Sequence, residues 1–287
     1  MVDALRSTAP FILDPRNTPS ALCAERPPFG LLDAGASGLI HRENLNRSAA
    51  CQLLAERFIR RQHQATTTRL GRRCAVVGSG GVLRNSGMGA SIDNHDAIIR
   101  FNGAPTLPHL RHDVGLRTTL QLSTLVPWRH WRRRVDAREL AKTRDNALYC
   151  HNHWVGNCWL DALKSDGWSS KVVNPLIVAA IGSLLRKQST RKVSRVPSSG
   201  IVGVAIAIAA CDTVDVYGFG NVSNNVVCDH YWECRTDTAS YLGRPTHSFR
   251  AQWAVLSQLH EAGAIRLHAA TPQNAFTMPA GRPRANV

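Results

Sequence analysis

Apolar residues in this chain gather into short runs closed by glycine, and the clearest case lies between Cys74 and Thr106. Ala75-Val76-Val77 stops at Gly78-Ser79-Gly80-Gly81, and a second run, Ala97-Ile98-Ile99, ends in Arg100-Phe101-Asn102-Gly103. Runs of this length bounded by turn residues predict a buried strand, a tight turn, a short helix or loop, and a return strand. Alternation from Thr118 through Leu122 predicts another strand. The stretch Asn174 to Leu185 reads as a helix, or as a strand followed by a helix. After Pro197-Ser198-Ser199-Gly200, an Ala- and Ile-rich run up to Cys211-Asp212 predicts a buried helix with serine at its N-terminus. Val214 to Gly220 then predicts a strand leaving through glycine. Further on, Phe249, Trp253, Leu256 and Leu259 recur at helical spacing. That pattern predicts a helix with Thr246 as N-cap, His247 in the first turn and Gly263 as C-cap.

Outside these runs the pattern weakens. Residues 1 to about 40 are rich in Pro, Gly and small residues and predict a stem-like lead-in. Leu45, Ala49, Leu53 and Phe58 predict a peripheral helix between Arg42 and Gln64. The stretch Leu148 to Trp168, with three tryptophans, reads as loop-rich. The expected division is a lead-in over 1–70, one α/β domain over 71–272 and a tail over 273–287.

The formal charge of +15 and pI near 10.3 favour polyanions or small anionic ligands as partners. Trp128-Arg129-His130-Trp131-Arg132-Arg133-Arg134 is the densest basic patch, and reads either as a nucleic-acid groove or as a solvated connection. The 8 cysteines are dispersed, without zinc-knuckle spacing, which leaves disulfides and buried thiols both open. Two sequons, at Asn46 and Asn221, are glycan acceptors if the chain is secretory. The first residues lack the apolar core of a signal peptide. The longest clean apolar run, Ile201 to Cys211, is shorter than the roughly 20 residues that span a bilayer. The expectation is a soluble chain, or one that has lost an upstream anchor.

Candidate chemistry follows from the same segments. Glycines just past a strand let a ligand approach the backbone, and exposed N–H groups there favour an anion. Ser198 and Ser199 at a helix N-terminus offer hydroxyls and N–H groups of the same kind. A neutral imidazole is favoured at a helix N-terminus, so His247 is a candidate proton acceptor; a structural histidine is the alternative.

Four of these segments, in order, resemble the sialylmotifs of the eukaryotic sialyltransferases. Cys74 to Thr106, continuing through Asp113-Val114-Gly115, resembles the large motif, and Pro197 to Gly220 the small motif. His230-Tyr231-Trp232-Glu233 resembles motif III, and His247 onward the very small motif. The resemblance covers about the last two thirds of the chain, and its RFNGAPT and PSSG…CD…YGFG phrases are highly specific. It implies a single Rossmann-like α/β domain, a variant of the GT-A architecture. It also implies inverting, metal-independent transfer of sialic acid from CMP-sialic acid to a terminal sugar hydroxyl of a glycoprotein or glycolipid, in the Golgi lumen. By the same resemblance Ser79, Asn102, Ser198, Ser199, Gly200 and Tyr231 bind the donor. His247 would be the general base and His230 would address the departing phosphate. No cofactor or metal is implied, and no Asp-x-Asp metal motif occurs in the chain. Family pairing joins Cys74 to Cys211, with Cys228–Cys234 a weaker second expectation.

The chain also departs from the family pattern. Gln252 stands where the very small motif carries Glu, five residues after its His. Leu120 to Thr124 lacks the pattern that follows the large motif in many members, which leaves the linkage undecided. Gln252 keeps alive a homologue that binds CMP without efficient catalysis, and the basic patch keeps alive nucleic-acid binding. A nicotinamide enzyme fits less well. The third glycine of G-x-G-x-x-G is Leu83, and the second strand ends in Arg100 rather than an acidic residue.

Overall fold

A computed structural model describes residues 3, 5, 23, 44, 46–61, 69–124, 145–149, 171–188, 197–220, 230–233 and 247–268. Seven parallel strands form one sheet: β1 (Gly71–Val77), β2 (Ala97–Phe101), β3 (Leu120–Thr124), β4 (Asp145–Tyr149), β5 (Lys171–Val172), β6 (Cys211–Tyr217) and β7 (Arg266–His268). Their order is β5-β4-β3-β2-β1-β6-β7, and every pairing is parallel. The chain therefore winds outward from β1 in one direction as far as β5, then returns to the other side of β1 with β6. That reversal between β1 and β6 is the topological switch point, outside whose carboxyl ends open α/β sheets bind ligands. The architecture is the expected Rossmann-like α/β fold.

Side-chain alternation divides each strand between two buried faces, as a parallel sheet covered on both sides requires. Cys74, Val76, Ile99, Phe101, Val214 and Val216 enter the larger core. There they meet α4 (Pro175–Lys187), α5 (Ser199–Ala210) and α6 (Phe249–Glu261) through Ile177, Ile181, Ile201, Val204, Val255 and Leu259. Ala75, Val77 and Ile98 face the smaller core with Leu83, Ile92 of α2 (Gly89–Asp93), Val114 of α3 (Arg111–Val114) and Tyr231. Helix α5 is apolar on all sides, with nine residues fully covered from Ile201 to Ala210, because it lies wholly inside the domain. Among the described residues no helix is long and apolar enough to cross a membrane.

Several boundaries differ from the sequence reading. Strand β6 begins at Cys211, directly after α5, because Cys211 and Thr213 already pair with Gly71 and Arg73 of β1 although Asp212 and Thr213 are exposed and polar. The Asn174–Leu185 stretch is a helix, the first of its two readings: α4 has Asn174 as its N-cap, whose side chain accepts from the Leu176 N–H (3.0 Å), and β5, not anticipated, ends before it at Val172. Strands β4 and β7 were not anticipated. The N-terminal helix α1 is Arg47–Arg61, and Asn46 caps it by accepting from the Ala49 N–H (2.9 Å). Its buried line is Ala50, Cys51 and Ala55, while Ala49 and Leu53 of the predicted stripe are only half-buried. Within the lead-in, Leu5 is 1% exposed in the larger core and Cys23 is bonded to Cys51. The bond expected by family pairing, Cys74–Cys211, is present and ties β1 to the α5–β6 junction. The Trp128–Arg134 patch, the Asn221 sequon and the Cys228–Cys234 pair lie outside the described residues.

One polar cluster is built into the smaller face. Asp215, 3% exposed on β6, accepts from Arg266 Nε (2.9 Å) and Nη2 (2.6 Å) on β7. Its carboxylate also meets His95 Nε2 (3.0 Å) and His268 Nε2 (2.7 Å). The His268 ring stacks on Tyr217 at 4.2 Å. Burial is the largest single influence on Asp215 and pushes its pKa up, but the hydrogen bonds from Arg266, His268 and His95 and the Arg266 charge together hold it down at about 2. A carboxyl depressed from its ordinary value of 3.8 contributes stability above that pH and loses it as pH falls through about 2. The expected result is that Asp215→Asn lowers unfolding stability by about 2 kcal/mol at pH 7. Acid titration between pH 4 and pH 2, followed by circular dichroism, should then show a shallower stability loss in the variant than in wild type.

Candidate active site

The carboxyl ends of β1, β2 and β6 and the N-terminus of α5 converge at the switch point. Beyond β1, the Gly78 N–H donates to the Tyr217 carbonyl (2.7 Å) and the Gly80 N–H to the Gly218 carbonyl (3.1 Å). The two glycine loops touch so closely that a Cβ at Gly80 would lie 2.6 Å from the Gly218 oxygen. Gly218 itself has φ of +73°, where side chains other than glycine are strained. The glycines thus set the floor of the crevice by letting two loop backbones meet.

The segment His230–Glu233 docks on this floor. His230 bridges Gly80, and the Tyr231 N–H donates to the Ser79 carbonyl (3.0 Å). The Tyr231 side chain is 2% exposed and its hydroxyl donates to the Pro105 carbonyl (2.7 Å). Burial pushes that phenol up to about 12, with the nearby Arg100 charge opposing, so the hydroxyl stays protonated as a donor. His230 Nδ1 lies 3.0 Å from Glu233 Oε1, and its ring stacks on Trp232 at 4.4 Å. A carboxylate only accepts, so this contact puts a proton on Nδ1 and fixes the ring plane.

Beyond β2, Asn102 takes a left-handed conformation (φ 52°), which asparagine tolerates better than most residues. Its Oδ1 accepts from the Thr124 N–H (3.0 Å) and hydroxyl (3.3 Å), and its Nδ2 donates to Ser199 Oγ (3.2 Å). With its carboxamide oxygen turned inward, Gln121 accepts from the Gly103 N–H (2.5 Å) and the Asn102 N–H (3.1 Å), which braces the turn. Two residues before Asn102, Arg100 is 1% exposed; it donates to the Arg117 carbonyl (3.0 Å) and the Val114 carbonyl (2.5 Å). Burial lowers its pKa, against the opposing influence of Tyr231 and the Asp93 charge.

The third wall is the start of α5. Ser198 is its N-cap and accepts from the Ile201 N–H (3.4 Å). Tyr149 on β4 holds the approach by donating to the Pro197 carbonyl (2.9 Å). A Cβ at Gly200 would lie 2.9 Å from the Phe219 ring, which in turn stands edge-on to Phe101 at 6.5 Å. Gly200 therefore lets the small-motif helix close on the loop after β6.

Helix α6 completes the arrangement. Its cap is Ser248, whose Oγ accepts from the Ala251 N–H (3.3 Å), so the helix starts two residues later than predicted. His247 consequently stands one residue ahead of the cap, half-buried, rather than in the first turn. The C-cap is Ala262, and Gly263, predicted for that position, follows it with φ of +69°. Gln252, 5% exposed, accepts a hydrogen bond from Ser198 Oγ and so joins the His247 helix to the N-terminus of α5.

The structure thus brings Ser79, His230 and Tyr231 together and pairs Asn102 with Ser199, next to Ser198 and Gly200. Sequence reasoning missed Thr124, Gln121, Arg100 and the Gln252–Ser198 contact. Arg100 and Asn102 share one motif phrase, whereas Gln252 lies 54 residues from Ser198 and no local pattern announces their contact. Among the described residues no cluster of three or more His, Cys, Asp or Glu side chains could hold a metal ion.

Known proteins are similar to this chain. Human beta-galactoside alpha-2,6-sialyltransferase 1 is 30% identical over 189 residues, 60% of this chain and 46% of that protein. Mouse CMP-N-acetylneuraminate-beta-galactosamide-alpha-2,3-sialyltransferase 4 is 26% identical over 222 residues, 68% of this chain and 63% of that protein. The chain thus spans about half to two thirds of the length of these relatives. The crystal structure of a mammalian sialyltransferase shares the fold with a TM-score of 0.58 at 23% identity, over 92% of this chain and 90% of that one. That of a mammalian sialyltransferase in complex with Gal-beta-1-3GalNAc-ortho-nitrophenol does so with a TM-score of 0.55 at 24% identity. With the model of glycosyltransferase family 29 (sialyltransferase) matching residues 39–264, the chain belongs to that family.

Proposed function

We propose that the protein is an inverting sialyltransferase that moves sialic acid from CMP-sialic acid to a terminal sugar hydroxyl of a glycan. What supports this reading is that the segments resembling the four motifs touch one another near the sheet's switch point: Tyr231 on Ser79, Asn102 on Ser199, and Gln252 on Ser198 at the N-terminus of a twelve-residue helix. Ser79, Asn102, Ser198, Ser199, Gly200 and Tyr231 form the donor wall. Helix N–H groups and serine hydroxyls there suit the phosphate of CMP, and the close glycine loops suit a flat nucleotide held against backbone.

His247 is assigned as the general base that accepts the proton of the acceptor hydroxyl as that oxygen attacks the anomeric carbon. An unperturbed imidazole, with pKa of about 6.5, is suited to this near neutral pH. The bond from the anomeric carbon to the CMP phosphate oxygen breaks on the opposite side. His230 addresses the phosphate as negative charge builds there, with Glu233 orienting its ring through Nδ1. The reaction is metal-independent in this reading, and a Golgi lumenal setting accords with it. Incubation with CMP-sialic acid and a panel of galactosides tests the reading. Acceptor-dependent CMP release, unchanged by EDTA, is the expected result. CMP binding with no release would point to the inactive homologue, and salt-sensitive retention on RNA without CMP binding to the nucleic-acid reading.

A further inference from the structure

Resting on that donor site, we infer that Gln252 is a positioning residue that accepts the Ser198 O–H hydrogen bond and leaves Ser199 as the serine that donates to the donor's phosphate. The argument is an inventory of protons. The Thr124 N–H can only donate, and Asn102 Oδ1 receives it at 3.0 Å. The Asn102 amide is therefore fixed with Nδ2 toward Ser199, whose Oγ accepts at 3.2 Å. A hydroxyl that accepts on one lone pair keeps its own proton to give, so Ser199 O–H is available to an anion at the mouth of α5.

Ser198 is the opposite case. Its Oγ accepts from the Ile201 N–H, which only donates, and its proton goes to Gln252 Oε1. Both capacities of this hydroxyl are used within the protein. The cap geometry of α5, and with it the direction of the first N–H groups of the helix, is held from a different helix. Gln252 Nε2 is buried without a hydrogen-bond partner among the described residues. An unpaired buried donor is costly, so an apolar residue would pack more cheaply there; the amide is kept for what its oxygen does. Compared with the glutamate of the family motif, the amide accepts the same hydrogen bond without bringing a negative charge beside an anion site.

The test is CMP affinity by titration calorimetry across pH 5.5–8 for wild type, Gln252→Met, Gln252→Glu, Ser198→Ala, Ser199→Ala and the Gln252→Met/Ser198→Ala double variant. Ser199→Ala should weaken CMP about 10- to 100-fold, the loss of a charge-assisted hydrogen bond. Gln252→Met and Ser198→Ala should each weaken it about three- to tenfold, and the double variant no further, because the two act as one unit. Gln252→Glu should bind CMP nearly as wild type at pH 5.5 and progressively more weakly toward pH 8, a pH dependence that a merely structural role would not produce. Equal losses in Ser198→Ala and Ser199→Ala with an unaffected Gln252→Met would overturn the assignment. Failure of wild type to bind CMP would instead overturn the donor-site reading. In that event the Ser198–Gln252 unit is read from melting temperatures, where additive single and double effects would refute it.

Discussion

Replacing His247 with alanine is expected to lower sialyl transfer about 10²–10⁴-fold while changing CMP affinity less than twofold. The acceptor hydroxyl is a poor nucleophile until its proton is taken, and general-base catalysis accounts for a factor of this size. His247 stands one residue ahead of the Ser248 cap, outside the hydrogen-bonded helix, so its removal leaves the cap of α6 in place. Melting temperature should therefore stay close to wild type. That split between turnover and stability distinguishes a base from a structural histidine. Turnover within threefold of wild type would remove His247 from the mechanism.

The second large effect is on stability. The Cys74–Cys211 bond closes a sequence separation of 137 residues and joins Cys211, at the start of β6 opposite Gly71, to Cys74 within β1. In the chain-entropy description, a loop of this length constrains the unfolded ensemble by about 5 kcal/mol. The Cys23–Cys51 bond, with a separation of 28, gives about 3.6 kcal/mol in the same description. Against a total of roughly 5–15 kcal/mol for an ordinary domain, the longer loop is decisive. Cys74→Ala/Cys211→Ala should lower the urea midpoint sharply, and Cys23→Ala/Cys51→Ala should lower it less. An unchanged midpoint in the first variant, or free Cys74 thiol in a non-reduced digest of wild type, would contradict this ranking.

The sheet was legible wherever an apolar run met a glycine. β1, β2 and the buried α5 stand close to where Ala75-Val76-Val77, Ala97-Ile98-Ile99 and the Ile201 run put them, and β6 starts three residues ahead of its predicted Val214. β7 escaped notice because three residues, Arg266-Leu267-His268, carry too little alternation to read, and two of the three are polar. The α6 cap was misread because Thr246 and Ser248 are both good caps. Only the reach of a hydroxyl to the N–H three residues on selects Ser248. The Asp215 cluster was invisible for a different reason. Its partners are His95, far upstream, and Arg266 and His268 on β7, and burial turns a carboxylate on β6 from an oddity into a tie between those two segments.

Site residues divide in the same way. Asn102 and Ser199 were legible as motif members, but their pairing depends on a φ of 52° and on Thr124, which local pattern does not encode. Gln252 was visible only as a missing glutamate, and its contact with Ser198 gives that difference a physical meaning. His230 and Tyr231 lie in a short polar stretch whose docking on Ser79 and Gly80 follows from the close approach of two glycine loops.

Inverting transfer of sialic acid is decided by the anomeric configuration of the product. CMP-sialic acid carries its nucleotide in the β configuration, and attack from the opposite face gives an α-linked sialoside. Proton NMR of the reaction between wild-type protein, CMP-sialic acid and a terminal galactoside should show that α product appearing as CMP is released. A β-linked product, or CMP released without any sialylated galactoside, would contradict the account.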